Sequence, residues 1–148
     1  ANVYALGGAE AFLGDVLALR ARTLGASGIV TDGAARDSAA VAEIGIPTFA
    51  QSAHPSVLGR RHVPWEADTT ITCGGTAVQP GDVVVGDDDG VIVIPVALVE
   101  HVAQAAVDQE AEDAWVAERV AEGNAVDGLF PPNAEWKQRY HAWREGQR

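Results

Sequence analysis

The sequence predicts an α/β fold, and three observations carry that expectation. Helix, strand, helix and strand follow one another over the first third of the chain; strongly β-branched runs fill the middle; and a long stretch of helical periodicity leads into an aromatic tail. From Asp15 to Leu24, apolar Val16, Leu17, Leu19 and Leu24 are interleaved with Arg20 and Arg22, a helical pattern that Gly25 would stop. Gly28-Ile29-Val30-Thr31 reads as a short buried strand, and Asp32-Gly33 as a turn after it. Ser38 to Ile44 reads as a second helix, with Asp37 at its N-cap and Gly45 past its end, and Pro47 to Ala50 as a further strand.

The middle third changes character. Thr69 to Cys73, Gly74-Gly75 and Thr76 to Val78 form a hairpin pattern. Pro80-Gly81 is a turn, and Asp82-Val83-Val84-Val85 and Val91-Ile92-Val93-Ile94 are two strands joined by Gly86-Asp87-Asp88-Asp89-Gly90. The stretch from His54 to Asp68 has no period and carries Arg60, Arg61, His62 and Trp65. A long helix is expected from Ala97 to Glu122, with Val99, Val102, Ala106, Val107, Ala111, Ala114, Trp115 and Val120 at helical spacing and Gly123 ending it. Gly128 to Pro132 reads as a rigid connector, and Asn133 as the cap of a last helix with Trp136, Tyr140 and Trp143 on one face.

A chain of 148 residues, 47% of them hydrophobic, can bury a real core. Its net charge of −11 disfavours nucleic acid and anionic membrane surfaces and suits basic partners, although many soluble enzymes are simply acidic. No apolar run reaches the roughly 18 residues of a membrane span. The single Cys73 excludes an internal disulfide and fits a reducing, cytoplasmic compartment.

Chemistry concentrates at two places, Gly14-Asp15 and Arg36-Asp37, with twenty residues between Asp15 and Arg36. Asp15 at a helix start and Asp37 before the next helix each have a plain structural reading as capping acids, and Arg36 one as a solvated charge. One helix and one returning strand would nevertheless bring both places to one sheet edge, where α/β folds bind ligands. Together, two carboxylates and a guanidinium suit a hard divalent cation and an anionic 2-oxo acid. The amides of Val16 and Leu17, in the helix's first turn, form an anion site. Asp87, Asp88 and Asp89 read as a solvated turn rather than a Ca²⁺ site, Cys73 as a small core residue, and the four Trp as packing or interface residues.

Four segments carry a family resemblance: Gly14 to Leu17, Val30 to Asp37, Gly45 to Ala50, and Pro80 to Val91. Together they closely resemble the RraA-like family, which contains the class II aldolases acting on 4-hydroxy-4-methyl-2-oxoglutarate and 4-carboxy-4-hydroxy-2-oxoadipate. The resemblance implies a layered β/β/α core of the swivelling-domain kind with a C-terminal helical extension, and a metal-dependent lyase that releases pyruvate through an enolate, with oxaloacetate decarboxylation passing through the same enolate. It implies Asp37 as direct ligand of Mg²⁺ or Mn²⁺, Asp15 holding a metal-bound water, and Arg36 on the keto acid. It further implies that Gly14 and the amides of Val16 and Leu17 lie at the pyruvyl carboxylate, that Arg60 meets the distal carboxylate, and that an acid of a neighbouring subunit's long helix, Glu112 or Glu110, reaches the site through water. Ala40 stands where many members have a further acid.

The expected organisation is a catalytic domain over residues 1–123 and a helical extension over residues 124–148, in a homotrimer or hexamer. Relatives in the family usually carry a further segment ahead of the Gly-Asp motif, so the expectation is a proteolytic product, a split protein whose separate partner chain supplies that segment, or a piece whose front is missing. Lys137 is the only lysine, which disfavours a Schiff-base aldolase. The competing expectation is a non-catalytic, protein-binding regulator of the ribonuclease-inhibitor type. A phosphohistidine-type swivelling domain is a third, but no histidine adjoins Gly74-Gly75.

Overall fold

The structure, a computed structural model, describes residues 2–6, 13–57, 59 and 66–147. The chain divides into two compact units, residues 1–97 and residues 98–148. The division falls ahead of the long helix rather than at residue 123, because that helix builds its core with the tail.

In the first unit, strands β1 (Asn2–Leu6), β2 (Ala26–Ala35) and β3 (Thr48–Ala53) form a parallel sheet in the order β1-β2-β3. Helix α1 (Asp15–Thr23) follows β1, and helix α2 (Ser38–Ile44) connects β2 to β3. Strand neighbours here are parallel, so each connection must cross over, and a helix is the usual way to do so. The helices cover one face of the sheet. Leu13, Ala18, Ile29, Val41 and Ile46 are buried together, with Ala21, Ala26 and Ile44 packed against them. Arg22 of α1 also donates to the Ile44 carbonyl at the end of α2, placing a cation at that helix's negative end.

Successive residues of a strand face opposite ways. Ile29 belongs to the helix-side core, whereas Val30 lines a cleft of about 730 Å³ on the sheet's other face, together with Phe49, Val84, Val91 and Val93. The latter residues come from β3 and from the hairpin of β6 (Val83–Asp87) and β7 (Gly90–Ile94). A smaller hairpin joins β4 (Ile71–Cys73) and β5 (Thr76–Val78) through Gly74 and Gly75, both at positive φ (59° and 78°), as the tight turn requires. Helices, sheet and hairpins therefore make the expected α/β layering.

Two local expectations are corrected. Asp32-Gly33 is not a turn: β2 runs through it to Ala35, with the β2–β3 register shifting between Thr31 and Ala34. The Asp32 carboxylate accepts from the Gly74 amide at 3.0 Å, pinning the β4–β5 turn to the sheet, while Thr31 Oγ1 accepts from the Gly33 amide. The loop between β6 and β7 is also shorter than expected. Gly86-Asp87 and Gly90 are in the strands, and Asp87 Oδ1 accepts from the amides of Asp89 (2.9 Å) and Gly90 (3.3 Å), the self-contained turn anticipated for these acids.

A short 3₁₀ turn at Val96–Leu98 leads into the second unit, where α3 (Val99–Ala121) is followed, after the connector, by α4 (Ala134–Glu145). Asn133 caps α4 as expected, accepting from the Trp136 amide at 3.0 Å. Trp115, Val116, Leu129 and Tyr140 are buried together, and Trp115 meets Trp136, Tyr140 and Trp143 at ring separations of 6.0, 5.5 and 6.4 Å. Arg144 bonds Asp108 at 2.7 Å and, with help from Gln104, holds that carboxyl below its ordinary range. A depressed carboxylate pKa adds stability above the ordinary Asp value of about 4 and loses it as pH falls. No helix among the described residues is long and apolar enough to cross a membrane.

Gly86 lies where β6 crosses Phe49. A Cβ there would stand 2.7 and 2.9 Å from two ring carbons. Gly86→Ala should therefore destabilise by about 1–3 kcal/mol, as overpacked cores do. In urea unfolding, Gly86→Ala should lower the midpoint in the parent, and far less in a Phe49→Leu background; equal losses in both would show that the ring contact is not the cause.

Candidate functional site

The site is built at the carboxyl end of β2. Ala35, the last residue of that strand, is held from both sides. Leu13 bridges it in parallel register, the Arg36 amide donates to the Leu13 carbonyl at 2.8 Å, and the His54 amide donates to the Ala35 carbonyl at 2.9 Å. The start of α1 and the Arg36-Asp37 turn are thereby fixed side by side, at the strand ends where open α/β sheets take ligands.

Their closeness depends on Gly14. It is the N-cap of α1, where Ser, Thr, Asp or Asn would normally supply a side-chain acceptor, and it supplies none. A Cβ at this position would lie 2.7 Å from Arg36 Nε and 2.8 Å from Asp37 Oδ2. The absent side chain is the space in which those two groups meet, with Nε and Oδ2 3.2 Å apart.

Asp37 departs from its expected role. It stands at the N-cap position of α2, and the Val41 amide donates to its carbonyl. But its backbone is left-handed (φ 55°, ψ 36°) and its side chain caps nothing. Left-handed backbone is uncommon outside glycine, although Asp tolerates it better than most. The conformation sends the carboxylate to Arg36 and Gly14 instead of back to the helix amides. Such local strain, of order 1–3 kcal/mol, collects at functional positions.

Asp15 opens α1, and its Oδ1 accepts from the Val16 amide at 2.7 Å. Asp15 thus uses one of the amides expected to bind an anion, and a carboxylate ligand at this helix start would have to share or replace that bond. Val16 and Leu17 project exposed side chains, so their part in a site could only be through the backbone. Arg36 and Asp37 are themselves 38% and 42% exposed, within reach of a ligand.

Gly14, Asp15, Val16, Leu17, Arg36 and Asp37 are therefore brought to one end of the sheet. Arg60 lies outside the described residues. Glu112 is half-buried and Glu110 exposed on α3, in the second unit. The apolar cleft takes in none of the site residues. Cys73 is half-buried beside Asp32; burial, and secondarily that carboxylate, push its thiol pKa up, which keeps it a poor nucleophile.

No group of three or more His, Cys, Asp or Glu side chains among the described residues could hold a metal. A Zn²⁺ or Ca²⁺ cage is not what this donor set offers. One carboxylate not used for capping, with a second at the adjoining helix start, fits a hard cation such as Mg²⁺, which keeps several waters and takes one or two carboxylates.

The comparisons with known proteins agree on the fold. A protein of Halalkalibacterium halodurans with the provisional name 4-hydroxy-4-methyl-2-oxoglutarate aldolase is 38% identical over 109 residues, covering 70% of this chain and 49% of that protein. The chain thus spans about half the length of that curated relative. The crystal structure of Streptomyces coelicolor RraAS2, described as an unusual member of the RNase ES inhibitor RraA protein family, superposes with a TM-score of 0.74 at 32% identity, over 79% of this chain and 62% of that one. An uncharacterized protein from Pseudomonas syringae pv. tomato shares the fold with a TM-score of 0.82 at 24% identity, over 88% of this chain and 63% of that one. The model of the RraA-like family, described as Aldolase/RraA, matches residues 2–93, more than half of the chain and all of the site just described, and the chain belongs to that family.

Proposed function

We propose that this chain carries the cation and carboxylate site of a class II lyase, one that cleaves a 4-hydroxy-2-oxo diacid and releases pyruvate, with oxaloacetate decarboxylation as a second reaction. The observation that carries this reading is the meeting of Arg36 and Asp37 over Gly14 at the start of α1. The name of the relative in Halalkalibacterium halodurans supports the same class.

Cleavage beside the 4-hydroxyl leaves electrons on the pyruvyl carbon, and the site must hold that charge. Mg²⁺ or Mn²⁺, held by Asp37 and through water by Asp15, would supply a Lewis acid for the 2-oxo group. The chain's own residues do the rest. The Arg36 fork grips a planar carboxylate and keeps a fixed positive field beside the reacting carbons. The α1 start, with the backbone amides of Val16 and Leu17, orients the pyruvyl carboxylate. Gly14 leaves the space in which these groups converge. Arg60 would meet the distal carboxylate, and Glu112 of a neighbouring subunit in a homotrimer or hexamer would order water. The reaction would take place in a cytoplasmic setting.

The resemblance to RraAS2 favours a second reading, a protein-binding regulator of a ribonuclease, for which the acidic surface is suited. The site favours the lyase, because a protein inhibitor needs no paired carboxylate and guanidinium.

Pyruvate release from 4-hydroxy-4-methyl-2-oxoglutarate and from oxaloacetate, assayed with Mg²⁺ and with EDTA, tests the proposal. Release should require the cation and disappear in Asp37→Ala; release that is indifferent to EDTA and to that substitution would contradict it. Arg36→Lys keeps the charge but loses the fork, and kcat/KM should fall at least tenfold with the melting temperature little changed. An unchanged kcat/KM would remove Arg36 from the substrate. In Gly14→Ala the new methyl meets side-chain atoms of Arg36 (Nε and Cγ) and Asp37 (Oδ2) and no backbone, and those side chains can swing away. Activity should fall by about tenfold or more for roughly an ångström of displacement, while stability shifts by less than about 1 kcal/mol. The opposite pattern, lost stability with retained turnover, would make Gly14 a folding residue.

A further inference from the structure

The Arg36–Asp37 contact has the wrong partner for a simple anion anchor. Arg36 turns Nε, the side of its guanidinium, to Asp37 Oδ2 at 3.2 Å. The same carboxylate is the one Asp37 would offer a cation. The two residues are consecutive, Asp37 is set in its left-handed conformation, and both side chains share the space that Gly14 leaves. One carboxylate therefore faces two claimants of the same sign.

We propose that Arg36 is a built-in competitor for the cation at Asp37, so that a divalent cation and a carboxylate ligand bind cooperatively. The inference rests on the reading of Asp37 as the cation's ligand and goes further, to the order and coupling of binding. A cation at the Asp37 carboxylate repels the guanidinium beside it. The pair is more than one-third exposed on both sides, so the contact it gives up is weak and the side chain can swing on its flexible stem. Turned away, the guanidinium can present its paired Nη donors to a planar carboxylate. A carboxylate on Arg36 in turn neutralises the charge that opposes the cation. Coupling of this kind is reciprocal: whatever factor the cation gives to the acid, the acid returns to the cation. Gly14 is a positioning residue in this device, since it sets how near the two charges stand.

The test is Mn²⁺ binding, read by electron paramagnetic resonance on the full chain, with and without pyruvate and with no turnover measured. Arg36→Gln removes the competing charge and should bind Mn²⁺ roughly three- to tenfold more tightly than the parent when pyruvate is absent, the scale of an exposed charge pair acting on a doubly charged ion. Arg36→Lys keeps the charge and should stay near the parent. Pyruvate should tighten Mn²⁺ in the parent by a larger factor than in Arg36→Gln. If the parent binds Mn²⁺ and Arg36→Gln binds it equally or less well, the competition is refuted while the cation site stands. If neither binds Mn²⁺ and both keep the parent's circular dichroism, the cation site fails, and this inference fails with it.

Discussion

The close approach of two backbone segments at Gly14 is the constraint on which the site depends. Leu13 and Ala35 bridge in parallel, the Arg36 amide is tied to the Leu13 carbonyl, and no side chain stands between the start of α1 and the turn after β2. A backbone bridge is a poor reporter of function on its own. Its effect here is to set the register of everything that follows: Asp15 opens the helix, and Arg36 and Asp37 fall just past the strand.

The first unit separates support from chemistry by face. Ile29, Val41, Ile46, Leu13 and Ala18 anchor the helices to one side of the sheet. On the other side, Phe49 against Gly86 and Asp32 on the Gly74 amide hold the two hairpins. Isolated two-stranded hairpins are marginal in water, so these side-chain ties to the sheet do what a wider sheet would otherwise do. The charged groups of the site, Asp15, Arg36 and Asp37, sit at the sheet's end, where they stay partly exposed rather than buried unpaired at a cost. The second unit is held differently, by an aromatic cluster around Trp115, with Arg119 over the Trp115 ring and the Arg144–Asp108 pair more exposed.

Much of this was legible in the sequence, because it is written in short-range signals. The α1 helix and its Gly25 stop, the Gly74-Gly75 hairpin, the Asn133 cap and the face of Trp136 and Tyr140 all follow from periodicity or from one residue's backbone preference. The juxtaposition of Gly14-Asp15 with Arg36-Asp37 was also legible, since a helix and a returning strand leave few other arrangements. What escaped depended on long-range partners. Asp32-Gly33 looks like a turn until the Gly74 amide, forty-two residues away, supplies the carboxylate's partner. Asp37 looks like an N-cap until its left-handed backbone turns the side chain toward Arg36. The one local hint of that arrangement was a glycine at the N-cap of α1, where a capping side chain would ordinarily be favoured.

The proposed cation belongs beside Asp37, in the space that Gly14 leaves. Crystals grown with Mn²⁺ and measured for its anomalous scattering would locate it directly. The expected peak lies about 2.1–2.2 Å from an Asp37 carboxylate oxygen, with Arg36 Nε moved off Oδ2. A peak at the Asp87-Asp88-Asp89 turn, with Asp37 still paired to Arg36, would contradict the proposal.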